Sequence, residues 1–223
     1  MCDVNVDVKP KLLDLFCGTK SVAHAALNLG FEVTTLDIDA RCKPDINMCI
    51  HDFVECKLNA NVYEPGHFDV VWASPPCEVF SAARRSNIGR TVNGEVMTTS
   101  TLLRDIEEIG VPLLRKTQMC IMYLQPQFWF IENPFTGAMK NYIDAKPYVY
   151  DYCMYNSFMY RKRTAIWSNK KLKDNLCDRS HLVNNRHVCT AIGTSKTQQG
   201  QGGGGSKKLR YAIPTDLIVE LLT

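Results

Sequence analysis

Phe68-Asp69-Val70-Val71-Trp72-Ala73-Ser74-Pro75-Pro76-Cys77-Glu78-Val79-Phe80-Ser81 is the stretch whose reading decides the fold. Asp69 to Ala73 is short and apolar, as a strand covered on both faces must be. Pro75-Pro76 can neither continue a ladder nor lie inside an ordinary helix. The strand therefore stops and delivers one thiol, Cys77, to a loop at a strand end, where α/β folds keep their chemistry. A thiol placed there is a candidate nucleophile. The alternative is that Cys77 is one of ten cysteines, most of them reduced core fillers.

The rest of the chain gives that strand a setting. At 223 residues and 45% hydrophobic content it can bury a core as one domain, or one domain with a small appendage. Its cysteines are scattered, no signal-peptide pattern precedes them, and no apolar run is long enough to span a membrane. A reducing, intracellular setting (cytoplasm or nucleoid) is expected, without a disulfide scaffold. The net charge of +3 is compatible with a nucleic-acid partner and does not demand one.

Upstream, Lys11 to Phe16 reads as a strand, Cys17-Gly18-Thr19-Lys20 as a tight turn, and Ser21 to Leu29 as a helix that Gly30 can close. A second strand, Phe31 to Leu36, ends in Asp37-Ile38-Asp39, about twenty residues past the glycine turn, the spacing at which nucleotide-binding folds place a ribose-binding acid. Asp37 is then a ribose ligand or a solvated loop acid. The turn lacks the glycines of a phosphate-binding loop, which excludes that reading. Met48 to Phe53 reads as a third strand. Strands alternating with helices imply a doubly wound, mostly parallel, Rossmann-like α/β sheet.

Downstream, Glu78 to Thr99 is polar and broken and reads as a mobile basic loop. Its Arg84, Arg85 and Arg90 are either phosphate contacts or solvated charges. A helix capped at Ser100 or Thr101 runs through Leu102, Leu103, Ile106 and Ile109, and Pro112 kinks it or begins its continuation to about Leu124. Gln127 to Ile131 is another buried strand, which Glu132-Asn133-Pro134 brings to a stop with a carboxylate at its end. Tyr148 to Met154 and the segment after Arg161-Lys162-Arg163, as far as Asn169, read as two more strands. Cys177, His181, His187 and Cys189 follow with the spacing Cys-x3-His-x5-His-x-Cys. They could supply four zinc ligands, or the histidines are surface or phosphate-contacting residues. The expected organisation is a catalytic domain over residues 1–170, a small Cys/His segment over 171–194, a flexible Gly/Gln/Lys linker over 195–208, and a docking helix over 209–223.

Asp14-Leu15-Phe16-Cys17-Gly18, Pro76-Cys77 and Glu132-Asn133 stand in the order in which the cytosine-5 DNA methyltransferase family carries its strand-turn, catalytic-loop and acid motifs. The chain resembles that family over roughly residues 11–169, and most resembles its compact phage and large-DNA-virus members. The resemblance implies a Cys77 thiolate that adds to carbon 6 of cytosine, and a Glu132 that hydrogen-bonds ring N3. Arg163 matches the first arginine of a later basic motif, and Ala165 stands where a second is expected. S-adenosylmethionine is the implied methyl donor: Asp14, Phe16, Cys17 and Gly18 match the turn against its methionine part, Asp37 and Ile38 the ribose-side segment, Asp52 and Phe53 the adenine-recognising pair, and Ser74 and Pro76 flank the site. The implied partner is DNA, with the base flipped and the Arg84, Arg85 and Arg90 loop on phosphates.

Glu78 replaces a glutamine and Pro134 a small aliphatic residue of the family pattern. Only about fifty residues follow position 169, where relatives that read sequence carry a recognition domain. Target choice is then short, low, or supplied by a partner protein. Two other functions stay open: an exocyclic-amine methyltransferase, suggested by Ser74-Pro75-Pro76, and a nucleic-acid-binding relative without turnover.

Overall fold

Alternation along each central strand sorts its side chains to two faces, and each face is covered. Leu12, Val70, Trp72, Phe130 and Ile166 share one buried cluster, while their neighbours Leu13, Val71, Ile131, Ala165 and Trp167 share the other. The computed structural model describes residues 8–92, 94–155, 160–180, 182, 189–190 and 211–223. The linker expected over 195–208, and His181 and His187, lie outside these.

In chain order the elements are β1 (Lys11–Leu15), α1 (Ser21–Asn28), β2 (Glu32–Asp37), β3 (Ile46–Asn47), α2 (Ile50–Phe53), β4 (Val70–Ala73), β5 (Thr91–Val92), β6 (Glu95–Val96), α3 (Thr99–Asp105), α4 (Val111–Leu124), β7 (Phe128–Pro134), β8 (Tyr148–Asp151), β9 (Tyr160–Arg161), β10 (Arg163–Ser168), β11 (Cys189–Thr190) and α5 (Thr215–Leu222). A seven-stranded sheet has the order β3-β2-β1-β4-β7-β10-β8. Its first five strands are parallel, and β10 runs antiparallel to both β7 and β8. Helices α1 and α5 cover one face, with Leu217, Ile218 and Leu221 buried beside Val22, Ala25 and Ala26. Helix α4 covers the other through Leu114, Ile121 and Leu124. The mixed, mostly parallel sheet is the one expected from the alternating pattern.

Several local readings change. Met48 to Phe53 is not a strand. The third strand is Ile46–Asn47, and Cys49 caps α2, its Sγ accepting the Asp52 N–H at 3.4 Å. The reason is spacing: Ile50, Phe53, Val54 and Leu58 recur at helical intervals and all bury. The polar stretch after Glu78 is more regular than its composition suggests. It forms a 3-10 segment over Ala82–Asn87 and the β5–β6 hairpin, with Gly94 at φ 83° in the connection. Strand β7 does not stop before Glu132 but runs through Pro134, whose Cα lies opposite Thr164 of β10.

The long helix expected before Gln127 is interrupted by a π turn, Ile106–Gly110, immediately ahead of Pro112, which has no N–H to give. Thr98, rather than Ser100 or Thr101, caps α3, and Thr101 completes a reciprocal capping box. Gly110 in the π turn matters for the loop that carries Cys77. A Cβ there would lie 2.7 Å from Phe80 Cζ and 2.8 Å from Val79 Cγ2, and Phe80 is buried. A Gly110→Ala variant is expected to lose about 1–3 kcal/mol of stability from overpacking. Urea denaturation checks this, and an unchanged midpoint would mean that the Phe80 ring yields freely.

Candidate active site

The end of β4 and the continuation of β7 build the centre. Their register pairs Ala73 with Ile131, so β7 carries Glu132 and Asn133 beyond the last paired residue of β4, alongside the segment Ser74 to Cys77. Asn133 Nδ2 donates to the Pro75 carbonyl at 2.9 Å, Trp72 Nε1 donates to Ser74 Oγ at 3.1 Å, and Ser74 N–H donates to the Leu15 carbonyl at 3.2 Å. Further along the loop, Ala138 N–H donates to the Phe80 carbonyl at 2.8 Å. Pro75 is buried, Pro76 exposed and Cys77 half-buried. The proline stop thus holds the thiol at the surface of a buried scaffold.

Glu132 is 6% exposed. Its Oε1 accepts from the Tyr152 hydroxyl at 3.2 Å and from Thr164 Oγ1. Burial pushes the Cys77 thiol above its ordinary value, the negative charge of Glu132 pushes it further, and Glu78 adds to this, while Lys162 acts in the opposite direction. Cys77 and Glu132 are therefore electrostatic neighbours although 55 positions separate them in the chain.

Arg163 does not join them. Its Nε and Nη2 bind Asp151 Oδ1 and Oδ2 at 2.8 and 2.7 Å. On β10, Arg163 alternates with Thr164, and Thr164 is the residue whose side chain meets Glu132. Arg163 consequently lies on the opposite face of the sheet from the carboxylate it was expected to assist.

A second group of residues gathers at the ends of β1 and β2. Phe16 and Gly18 turn with φ 60° and 44°, the first a left-handed conformation that a bulky residue adopts only under constraint. Gly18 N–H and Asp39 N–H donate to the two Asp37 carboxylate oxygens at 2.9 and 2.8 Å. Asn47 Nδ2 donates to the Asp37 and Ile38 carbonyls at 2.9 and 3.0 Å, and Ile38 is 71% exposed. An open cleft of about 630 Å³ is walled by Gly18, Lys20, His24, Asp37, Arg41 and Tyr211, among others. Of the expected cofactor residues, Gly18 and Asp37 line it; Asp14, Phe16, Cys17, Ile38, Asp52, Ser74 and Pro76 do not. Phe53 is fully buried against Tyr63 and the core, so it has no face to offer adenine; Asp52 is exposed.

Beneath the turn, Asp14 is buried and its Oδ2 has no hydrogen-bond partner among the described residues. Burial raises its carboxyl from 3.8 to about 8, with a backbone hydrogen bond from Ala23 opposing and Asp37 adding to the rise. Burial also pushes the neighbouring Cys17 thiol up to about 12.

Lys20, His24, Arg41 and Tyr211 carry no motif that marks them for this cleft. Only the glycine turn just ahead of Lys20 hints at its position. Tyr211 reaches it from the far end of the chain, and its hydroxyl donates to Glu78 Oε1 at 3.3 Å. Among the arginines of the basic loop, Arg84 is engaged by Asp105 at 2.5 Å, while Arg85 and Arg90 are exposed. Of the zinc candidates, Cys177 is half-buried, its N–H bound to Asp151 Oδ2 at 2.8 Å and its thiol against Cys153. The Cys189 backbone pairs with Tyr160 of β9. No group of three metal-ligating side chains occurs among the described residues. Nor is any described helix long and apolar enough to cross a membrane.

No protein-family profile matches the chain. It is 40% identical over 225 aligned positions to the probable DNA (cytosine-5)-methyltransferase of Frog virus 3 (isolate Goorha), covering 95% of this chain and 98% of that protein. Among solved structures it is similar to the Entamoeba histolytica methyltransferase EhMeth, at 11% identity and a TM-score of 0.41, covering 75% of this chain and 57% of that one. A Spodoptera frugiperda DNMT2 mutant aligns at 13% identity and a TM-score of 0.41, covering 78% and 57%.

The Asp14 carboxyl gives a pH prediction. Because its folded value is raised, it contributes stability that is fully present below 3.8 and is lost as pH rises through about 8. Unliganded protein should therefore lose stability across that window. In Asp14→Asn, a neutral isostere, that part of the loss should vanish, as read by urea denaturation at several pH values. Parallel pH profiles for the two proteins would contradict the assignment.

Proposed function

The chain belongs to the DNA (cytosine-5)-methyltransferase family, and on that premise we propose that it methylates carbon 5 of a cytosine in DNA, with S-adenosylmethionine as donor and Cys77 as nucleophile. The observation that carries this reading is the convergence of Cys77 and the buried Glu132 at adjacent strand ends, held together by the Asn133–Pro75 hydrogen bond.

The residues at the ends of β1 and β2 fit the donor. Asp14 Oδ2 is a buried acceptor suited to a cationic group, Asp37 is held by two N–H groups with lone pairs left for ribose hydroxyls, and exposed Ile38 offers an apolar surface to a base. Cys17 serves through its backbone, whose N–H donates to the Leu36 carbonyl at 3.1 Å and keeps the turn against β2. Ser74 and Pro76 shape the wall between the donor side and the thiol. When bound, S-adenosylmethionine supplies an electrophilic methyl group.

The chain's own groups do the rest. Carbon 5 of cytosine is a poor nucleophile until a thiolate adds to carbon 6. A bond then forms between Cys77 Sγ and carbon 6, and electron density moves to carbon 5 as ring N3 becomes more basic. Two hydroxyls, from Tyr152 and Thr164, orient the Glu132 carboxyl through Oε1; in the assembled complex Glu132 takes the proton that the Cys77 thiol gives up and donates it to N3, by hydrogen bonding or proton transfer. After methylation, loss of the carbon 5 proton expels the Cys77 thiolate and restores the ring. Because the thiol is held up by burial and by Glu132, the free enzyme keeps it protonated, and deprotonation belongs to the assembled complex.

The target carbon is stacked inside a duplex, so the base is flipped out to reach Cys77. Arg85 and Arg90 are exposed on the following loop and supply phosphate contacts, whereas Arg84 anchors that loop to α3 through Asp105. The enzyme acts in the host-cell compartment that holds its DNA substrate.

With labelled S-adenosylmethionine and duplex DNA, label should appear at carbon 5. Cys77→Ala should abolish transfer, and Glu132→Gln should lower the rate by about 10²–10⁴-fold. A persistent adduct on DNA containing 5-fluorocytosine should form with the native protein and not with Cys77→Ala. Label on an exocyclic amine, or transfer indifferent to Cys77, would overturn the proposal.

A further inference from the structure

The mechanism needs a thiolate next to a carboxylate, yet the arginine expected to supply positive charge is turned to the other face of the sheet. The position before it is not. The Lys162 carbonyl accepts from the Tyr152 N–H at 2.8 Å, and Lys162 Nζ lies 4.7 Å from the centre of the Tyr152 ring. The hydroxyl of that ring donates to Glu132 Oε1 at 3.2 Å. Lys162, Tyr152 and Glu132 thus form one contiguous chain, and both charged ends of it act on Cys77. Two positions on, Thr164 also binds Glu132.

We infer that Lys162 is the cation of this catalytic centre and the counter-ion of the Cys77 thiolate, in the place where the sequence pattern points to Arg163. The inference rests on Cys77 being the nucleophile. Among the described residues, Glu132 from β7 and Glu78 from its own loop act to hold that thiol protonated, and Lys162, from the junction of β9 and β10, opposes them. A cation beside a thiol favours the thiolate, and it does so more strongly when a flipped base excludes water. Lysine also suits a position packed over an aromatic ring, because its charge sits at one point on a flexible stem and can follow the sulfur as the bond to carbon 6 forms. Arg163 meanwhile is occupied by Asp151, which in turn accepts the Cys177 N–H, so its role is to brace the sheet edge.

The test is the pH dependence of Cys77 alkylation by iodoacetamide in the full-length protein, followed by mass spectrometry of the peptide containing Cys77. In Lys162→Met and Lys162→Gln the midpoint should move up by about one unit, so that alkylation near neutral pH slows about tenfold. Lys162→Arg should stay close to the native profile. Native-like thermal unfolding of either neutral variant suffices for the comparison. Neutral variants that titrate like the native protein, or a Lys162→Arg profile that shifts as far as the neutral ones, would overturn the inference. Turnover that survives Cys77→Ala overturns the nucleophile reading and this inference with it. An inactive Cys77→Ala enzyme with unchanged titration in the neutral variants overturns this inference alone.

Discussion

The hydrogen bond from Asn133 Nδ2 to the Pro75 carbonyl is where the site depends most on the fold. It closes the gap left when β4 ends at Ala73 and β7 continues to Pro134, and Asn133 making it is almost completely buried. It ties the two-proline segment directly to the strand that carries Glu132. A buried bond of this kind is costly to break, because its partners would then have to be desolvated without compensation. The buried Phe80 ring adds a second anchor, since its packing against Gly110 and its carbonyl bond to Ala138 fix where the loop turns back.

Two buried acids, Asp14 on β1 and Glu132 on β7, stand on strands that flank β4. Asp14 lies beneath the glycine turn with one oxygen unpartnered, in a setting that favours its neutral form until a cation arrives. Glu132 receives two hydroxyl hydrogen bonds on one oxygen and is thereby oriented rather than isolated. In the proposed reaction Asp14 belongs to the donor side and Glu132 to the base side, with Ser74 to Cys77 following β4 between them. Tyr211, anchored near α5, touches both sides, since it lines the cleft and binds Glu78.

Helix α5 shows how a small chain completes its core. Its Leu217, Ile218 and Leu221 cover the sheet face beside α1, and the Ile213 N–H donates to Ser21 Oγ at 3.1 Å at the start of α1. Burial of three large aliphatic side chains is worth on the order of 1.5–3 kcal/mol each by area, before ordering costs. Helix α5 thereby stabilises the helix that follows Lys20 and carries His24 into the cleft.

The sequence by itself determined the strand-turn-helix opening, the apolar strand that ends at Pro75-Pro76, the order of Asp14, Cys77 and Glu132 along the chain, and the doubly wound character of the sheet. Each of these is written locally, in alternation, helical spacing, or the lack of an N–H in proline. Tertiary structure alone decided which side chains share a face. The register of β10 against β7 sends Arg163 to Asp151 and brings Thr164 to Glu132, helical spacing drives Phe53 into the core, and packing of α3 against the loop takes up Arg84. Register and packing arise between segments distant in sequence, and a slip of one residue exchanges every inward side chain for an outward one. A motif can therefore name Arg163 while the folded sheet presents Lys162.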